Sequence, residues 1–136
     1  MGRFLALDFG LKRTGIAVTD ELKLIASGLT TVKTEELLTF LLSYCKSEDV
    51  ERIVIGLPRR LHNVPSPLES SIQEFISVLN DELPEIPISR VDERFTSKMA
   101  TKSMQQTVRS KKKRRDKALV DEISATIILQ DYMRSN

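Results

Sequence analysis

The sequence predicts an α/β domain built on one mixed sheet, an antiparallel meander extended by parallel strands and flanked by helices. Three observations carry that expectation. Residues Arg3 to Gly10 open the chain as an apolar run in which Leu5, Leu7 and Phe9 alternate with Phe4, Ala6 and Asp8, so nearly every position is apolar on both faces. Such a strand belongs near the centre of a sheet covered on both sides. Two further strands follow after links of only a few residues, which points to antiparallel hairpins. Beyond residue 34 strand and helix alternate, the rhythm of crossover connections between parallel strands.

Taken in order, Leu11-Lys12-Arg13 reads as a tight turn into a strand from Thr14 to Thr19. Asp20 to Lys23 makes a polar turn, and Ile25 to Val32 forms the third strand. Thr34 is placed to cap a helix, with Glu35 and Glu36 in the first turn, where the dipole favours acids, and Leu37, Leu38, Leu41 and Leu42 as its apolar stripe. Arg52 to Gly56 is a short buried strand ending at Leu57-Pro58, followed by a loop from Arg59 to Pro65. Ser66-Pro67-Leu68-Glu69 is a helix start, with a Ser cap, Pro at the first helical position and Glu at the third, the pattern of a capping box. Ile72, Phe75, Ile76 and Leu79 continue that helix. Ile88 to Val91 is the last strand, ending at Asp92-Glu93. Thr96 or Ser97 can cap a short helix to Thr107, and after a basic loop a last helix runs from Lys117 to Met133. Nothing marks a repeat, a linker or a boundary, so a single domain over residues 1–136 is expected.

A hydrophobic content of 40% and a charged content of 29% belong to a soluble globular chain. No apolar run is long enough to span a bilayer, and acidic Asp8 interrupts any N-terminal signal segment, so a cytoplasmic protein without a membrane partner is expected. The single Cys45 excludes an internal disulfide, offers no zinc cluster, and reads as a buried, inert thiol in a helix. The net charge of +2 hides an asymmetry: the stretch from Arg94 to Lys117 holds 10 Lys and Arg against one acid, Asp116, while the rest of the chain has 11 basic and 18 acidic residues. A basic segment on an otherwise acidic domain points to a polyanion met at one place, and nucleic acid is the obvious one.

Three acids stand out by position. Asp8 closes the first strand and Glu93 follows the last, and sites in open α/β sheets gather at the carboxyl ends of strands. Asp121 shares a helix face with Ala125, Ile128 and Tyr132, which turns it toward the sheet. Each has a plainer alternative: Asp before Gly begins turns, and an acid early in a helix is favoured by the dipole. Glu122 points elsewhere and reads as the dipole case. Carboxylates with no His or Cys beside them suit Mg²⁺ or Mn²⁺ rather than zinc. Two such ions can activate water and stabilise the leaving oxygen of a phosphodiester.

The run Arg109-Ser110-Lys111-Lys112-Lys113-Arg114-Arg115 precedes the Asp121 helix, where cations would hold a phosphate backbone; alone it would read as a solvated loop. No aromatic residue interrupts it, so readout by base stacking is not indicated. Lys12 and Arg13 are either phosphate contacts or a solvated turn. Arg94 and Thr96 either orient Glu93 and contact phosphate or serve as caps. His62, the sole histidine, lies in a polar loop with no nucleophile near it in sequence.

Asp8-Phe9-Gly10-Leu11-Lys12-Arg13-Thr14-Gly15-Ile16-Ala17 resembles the opening motif of the RuvX (YqgF) family, to which processing of pre-16S rRNA and resolution of Holliday junctions have been assigned. Val54-Ile55-Gly56-Leu57-Pro58, Asp92-Glu93-Arg94-Phe95-Thr96-Ser97, and Val120-Asp121-Glu122-Ile123-Ser124-Ala125 agree as well, in the same order and over nearly the whole chain. The resemblance implies a ribonuclease-H-like fold and a metal-dependent nuclease acting on structured nucleic acid in the bacterial cytoplasm. Its acidic triad carries over onto Asp8, Glu93 and Asp121. The departures, Ser97 for a second Thr, Ser124 for Ala and Asn63 for Gly, do not touch the triad. The leading expectation is trimming of the 5′ end of precursor 16S rRNA. Junction cleavage is a second, favouring a homodimer over a monomer because two strands must be cut symmetrically. A non-catalytic RNA-binding assembly factor is a third. An actin-type ATPase, whose phosphate loop also opens with Asp-x-Gly, would need a second domain for which 136 residues leave no room.

Overall fold

Side chains alternate across a strand, so a run that is apolar at every position must be covered twice. The computed structural model, which describes residues 2–58, 67–92 and 117–135, shows that arrangement. The strands are β1 (Arg3–Asp8), β2 (Arg13–Thr19), β3 (Ala26–Lys33), β4 (Val50–Leu57) and β5 (Ile88–Asp92), and they lie in the order β3-β2-β1-β4-β5. β1 is central; it pairs antiparallel with β2 and parallel with β4, while β2–β3 is antiparallel and β4–β5 parallel. The mixed sheet expected from sequence is present.

Helices α1 (Leu37–Ser47) and α2 (Pro67–Glu82) cover one face. There Leu5, Leu7, Ile16, Ile53 and Ile55 pack with Leu37, Leu41, Ile72 and Leu79, all essentially inaccessible to solvent. Each such side chain contributes about 1.5–3 kcal/mol of transfer free energy. Phe9, just past β1, joins them against Phe75, with ring centroids 5.5 Å apart. Helix α3 (Lys117–Ser135) covers the other face. Its Ala125, Ile128 and Leu129 pack on Ala6, Ala17 and Val54, and Tyr132 meets Phe4 edge-on at 5.4 Å. Small strand residues on this face let the helix lie close to the sheet, which decides the geometry of the site below.

Several local expectations are corrected. β1 stops at Asp8 rather than Gly10, and β2 begins at Arg13, which is therefore a strand residue and not part of the turn. Thr34 does not cap an α-helix. It opens a single 3₁₀ turn (Thr34–Glu36), and its hydroxyl instead donates to the Gly10 carbonyl at 2.6 Å and meets the Thr14 hydroxyl at 3.0 Å. Its backbone N–H bonds the Lys12 carbonyl at 3.0 Å. Thr34 thus ties down the β1–β2 turn from outside the hairpin. Thr34→Val keeps the shape and removes the hydroxyl from buried Thr14 and from Gly10, so a loss of about 1–2 kcal/mol in urea denaturation is expected. Wild-type stability in that variant would dismiss the clamp.

Glu69, expected in a capping box, accepts two hydrogen bonds from Arg90 on β5, Nη1 to Oε2 at 3.0 Å and Nη2 to Oε1 at 2.7 Å. Ser66, its expected partner, lies outside the described residues, as do the 59–65 loop with His62, the short helix expected from Thr96 or Ser97 to Thr107, and the basic run. Cys45 is half-buried rather than buried, and desolvation pushes its thiol up, which keeps it protonated and inert. Among the described residues no helix is long and apolar enough to cross a membrane.

Candidate active site

Two of the three singled-out acids are brought together by the packing of one glycine. Asp8 ends β1, and in the antiparallel register it stands opposite Gly15 of β2. Ala6 and Asp8 share a face, and Ala6 packs under α3, so the Asp8 carboxylate rises on the α3 side. Gly15 faces the same way, and its missing side chain is filled by Asp121: a Cβ built there would fall on the Asp121 carbonyl and lie 2.9 Å from the Asp121 Cβ. Only glycine allows the helix backbone so close. One strand pair therefore carries Asp8 and receives the α3 turn that carries Asp121.

The structure also decides how Asp121 is to be read. α3 begins at Lys117, its first turn holds no acid, and Asp121 lies one turn further in. Stabilisation by the helix dipole fades within the first turn, so it explains neither Asp121 nor Glu122. Glu122, expected to play only that role, leans over the edge strand instead, its Cβ 3.4 Å from the position a Cβ would take at Gly28.

Arg13 belongs to this centre. It sits two residues before Gly15 on the same face of β2, and its Nε donates to Asp121 Oδ2 at 2.7 Å. The pair is partly open to solvent, the side chains being 37% and 21% exposed. Lys12, beside it, is exposed. Of the other residues singled out from sequence, Glu93, Arg94, Thr96, Arg109, Lys111, Lys112, Lys113, Arg114 and Arg115 lie outside the described residues. Their neighbourhood is still partly set. β1, β4 and β5 run parallel, with Leu7 beside Ile55 and Leu57 beside Asp92, so their carboxyl ends share one edge of the sheet. β5 delivers the chain to that edge one residue before Glu93.

Arg90 carried no expectation from sequence, although a cation in the middle of a short strand is a visible signal. Besides its two bonds to Glu69, it donates through Nη2 to the Gly56 carbonyl at 3.0 Å and through Nε to the Ile55 carbonyl at 3.2 Å. It fastens the start of α2 and the ends of β4 and β5 together at the edge of the sheet where β1 also ends. Gly15 was passed over too, and its signal, a glycine inside a strand, marks close backbone approach.

A carboxylate donor set of this kind, oxygen-only and without His or Cys, fits a hard divalent cation, which prefers such ligands and would neutralise two acids turned to one face. Among the described residues no three metal-ligating side chains come together, and the third acid of the expected set, Glu93, is outside them.

Comparison with known families decides the relationship. The model of the family described as RuvX, Holliday junction resolvase, matches residues 2–135. The chain belongs to the RuvX family. This RuvX-family chain is 62% identical over 133 residues to a protein of Christiangramia forsetii described as a candidate pre-16S rRNA nuclease, with 98% of each chain covered. A protein of Bacteroides fragilis with the same description is 53% identical over 135 residues, covering 99% of this chain and 98% of the relative. Among solved structures, Thermus thermophilus RuvC in complex with a Holliday junction substrate superposes with a TM-score of 0.60 at 15% identity, over 100% of this chain and 97% of that one. At that identity the likeness establishes the fold, which is ribonuclease-H-like, as the RuvX motifs imply.

Proposed function

We propose that this chain is a divalent-metal-dependent nuclease of the bacterial cytoplasm that trims the 5′ end of precursor 16S rRNA. The observation that carries the reading is the seating of Asp121 on Gly15, directly opposite Asp8, in a setting of oxygen donors only. The names of its RuvX relatives, candidate pre-16S rRNA nucleases at 62% and 53% identity, suggest the substrate.

In this reading Asp8, Glu93 and Asp121 hold Mg²⁺ or Mn²⁺. Bound there, the metal would lower the pKa of a water and stabilise the leaving oxygen of a phosphodiester. The chain's own part is geometric. β1 fixes Asp8 in the sheet core, Gly15 sets the depth of the helix that bears Asp121, and β5 with Arg90 brings the chain to Glu93. Lys12, Arg13, Arg94, Thr96 and the run Arg109, Lys111, Lys112, Lys113, Arg114 and Arg115 hold the phosphate backbone, in one domain spanning residues 1–136. Phosphate contacts of that kind position a substrate without reading its sequence.

The family description also favours a second reading, cleavage of branched DNA, for which a homodimer would suit the symmetric cutting of two strands. One experiment separates the two: end-labelled RNA with the precursor 16S 5′ leader and a synthetic four-way DNA junction, each incubated with Mg²⁺, Mn²⁺ or EDTA. Metal-dependent cut RNA and an intact junction are expected. A cut junction with intact RNA would replace the first reading by the second, and binding without any cleavage would leave an assembly factor.

A further inference from the structure

We infer that Arg13 is the resident counter-cation of Asp121: a divalent ion entering the site displaces it, and the freed guanidinium then serves the substrate phosphate. The inference rests on Asp121 being a metal ligand. A guanidinium at 2.7 Å occupies one of the oxygens a metal would need. A divalent ion brought onto the same carboxylate would stand beside that second positive charge, and the repulsion between the two makes metal entry and the Arg13 bond compete for Asp121.

The site is built for the exchange. With the side chains 37% and 21% exposed, the ion pair is weak enough for a doubly charged competitor to break. The backbone under Arg13 is held, because Thr34 grips the Lys12 and Gly10 carbonyls and the Thr14 hydroxyl. What can move is the long side chain alone, and it starts from the edge of the sheet where the acids stand. An arginine released there presents a fork matched to phosphate oxygens. While no metal is bound, the same residue offsets the mutual repulsion of Asp8 and Asp121. The coupling is reciprocal: any anion that draws Arg13 away raises the affinity of the acids for metal.

The test reads metal binding by the full-length chain without nucleic acid, from loss of the free Mn²⁺ electron paramagnetic resonance signal. Arg13→Gln should bind Mn²⁺ about five- to tenfold tighter than wild type, and Arg13→Lys, which keeps the charge, should stay near wild type. A residue that merely supported the fold would weaken binding on removal. Unchanged or weaker binding in Arg13→Gln, while Asp121→Asn loses binding, overturns the inference and leaves the metal reading intact. Wild-type affinity in Asp121→Asn overturns both. A second measurement needs no folded Gln variant. In the ¹⁵N spectrum of the wild type, the Arg13 Nε–H signal, assigned by its absence in Arg13→Lys, should move toward free-arginine values as Mg²⁺ is added. A signal that keeps its place at saturation overturns the inference.

Discussion

Gly15→Ala is expected to cost at least about 3 kcal/mol in urea denaturation and to abolish Mn²⁺ binding in whatever fraction stays folded. A glycine-to-alanine change inside a strand ordinarily stabilises a protein slightly, by restricting the unfolded chain. Here the added methyl meets the backbone carbonyl of Asp121, and backbone cannot swing aside as a flexible side chain would. Either α3 lifts off the sheet, exposing the Ala125, Ile128 and Leu129 contacts, or β2 bends away from β1. Both outcomes part Asp121 from Asp8. Gly28→Ala is the matched control: it lies under the same helix, but its new methyl would find Glu122 Cβ and Thr126 Oγ1 at 3.4 Å, ordinary contact. That variant should stay within about 1 kcal/mol of wild type. Equal stability in the two alanine variants would show that the seat of α3 is not the tight one described.

The second large effect belongs to Asp8. On the proposed reading Asp8→Asn should lower metal-dependent cleavage by roughly three orders of magnitude or more, because a carboxylate that holds the metal would supply several kcal/mol of transition-state stabilisation. Stability should not fall with it. Asn has the same shape, and removing one of two acids turned to a common face relieves repulsion rather than adding it. The measurement pairs initial cleavage rates in Mn²⁺ with denaturation midpoints. A variant that keeps a tenth of the wild-type rate would remove Asp8 from the metal site. One that loses activity and stability together would mark it as structural. EDTA should reproduce the effect in the wild type, with activity returning on addition of Mn²⁺.

What could be read from sequence follows the range of the forces involved. The first strand declares its central place because apolar residues fall on both its faces, and Asp121 declares its inward face through the helical repeat it shares with Ala125 and Ile128. Both are local periodicities. The features that escaped are contacts between residues whose chemistry is ambiguous until tertiary structure pairs them. Thr34 is an ordinary helix cap until Gly10 and Thr14 are folded beside it. Glu69 reads from sequence only as a helix-start acid, and its bidentate bond to Arg90, 21 residues on, appears once β5 is folded beside it. Arg13 reads from sequence as either a phosphate contact or a solvated turn residue, and its bond to Asp121 stays out of reach because that partner is 108 residues away. Glu93 and the basic run, the rest of the proposed site, lie outside the described residues.

The distance between Arg13 and Asp121 along the chain also bears on how the protein is made. Asp8, Arg13 and Gly15 belong to the β1–β2 hairpin, synthesised well before Asp121, which arrives on the helix that follows all five described strands. A partly translated chain therefore carries one half of the acidic pair and an open seat for the other. In the proposed reading a nuclease of ribosomal RNA is born on a ribosome, and this order of assembly leaves its acidic site incomplete until that helix docks.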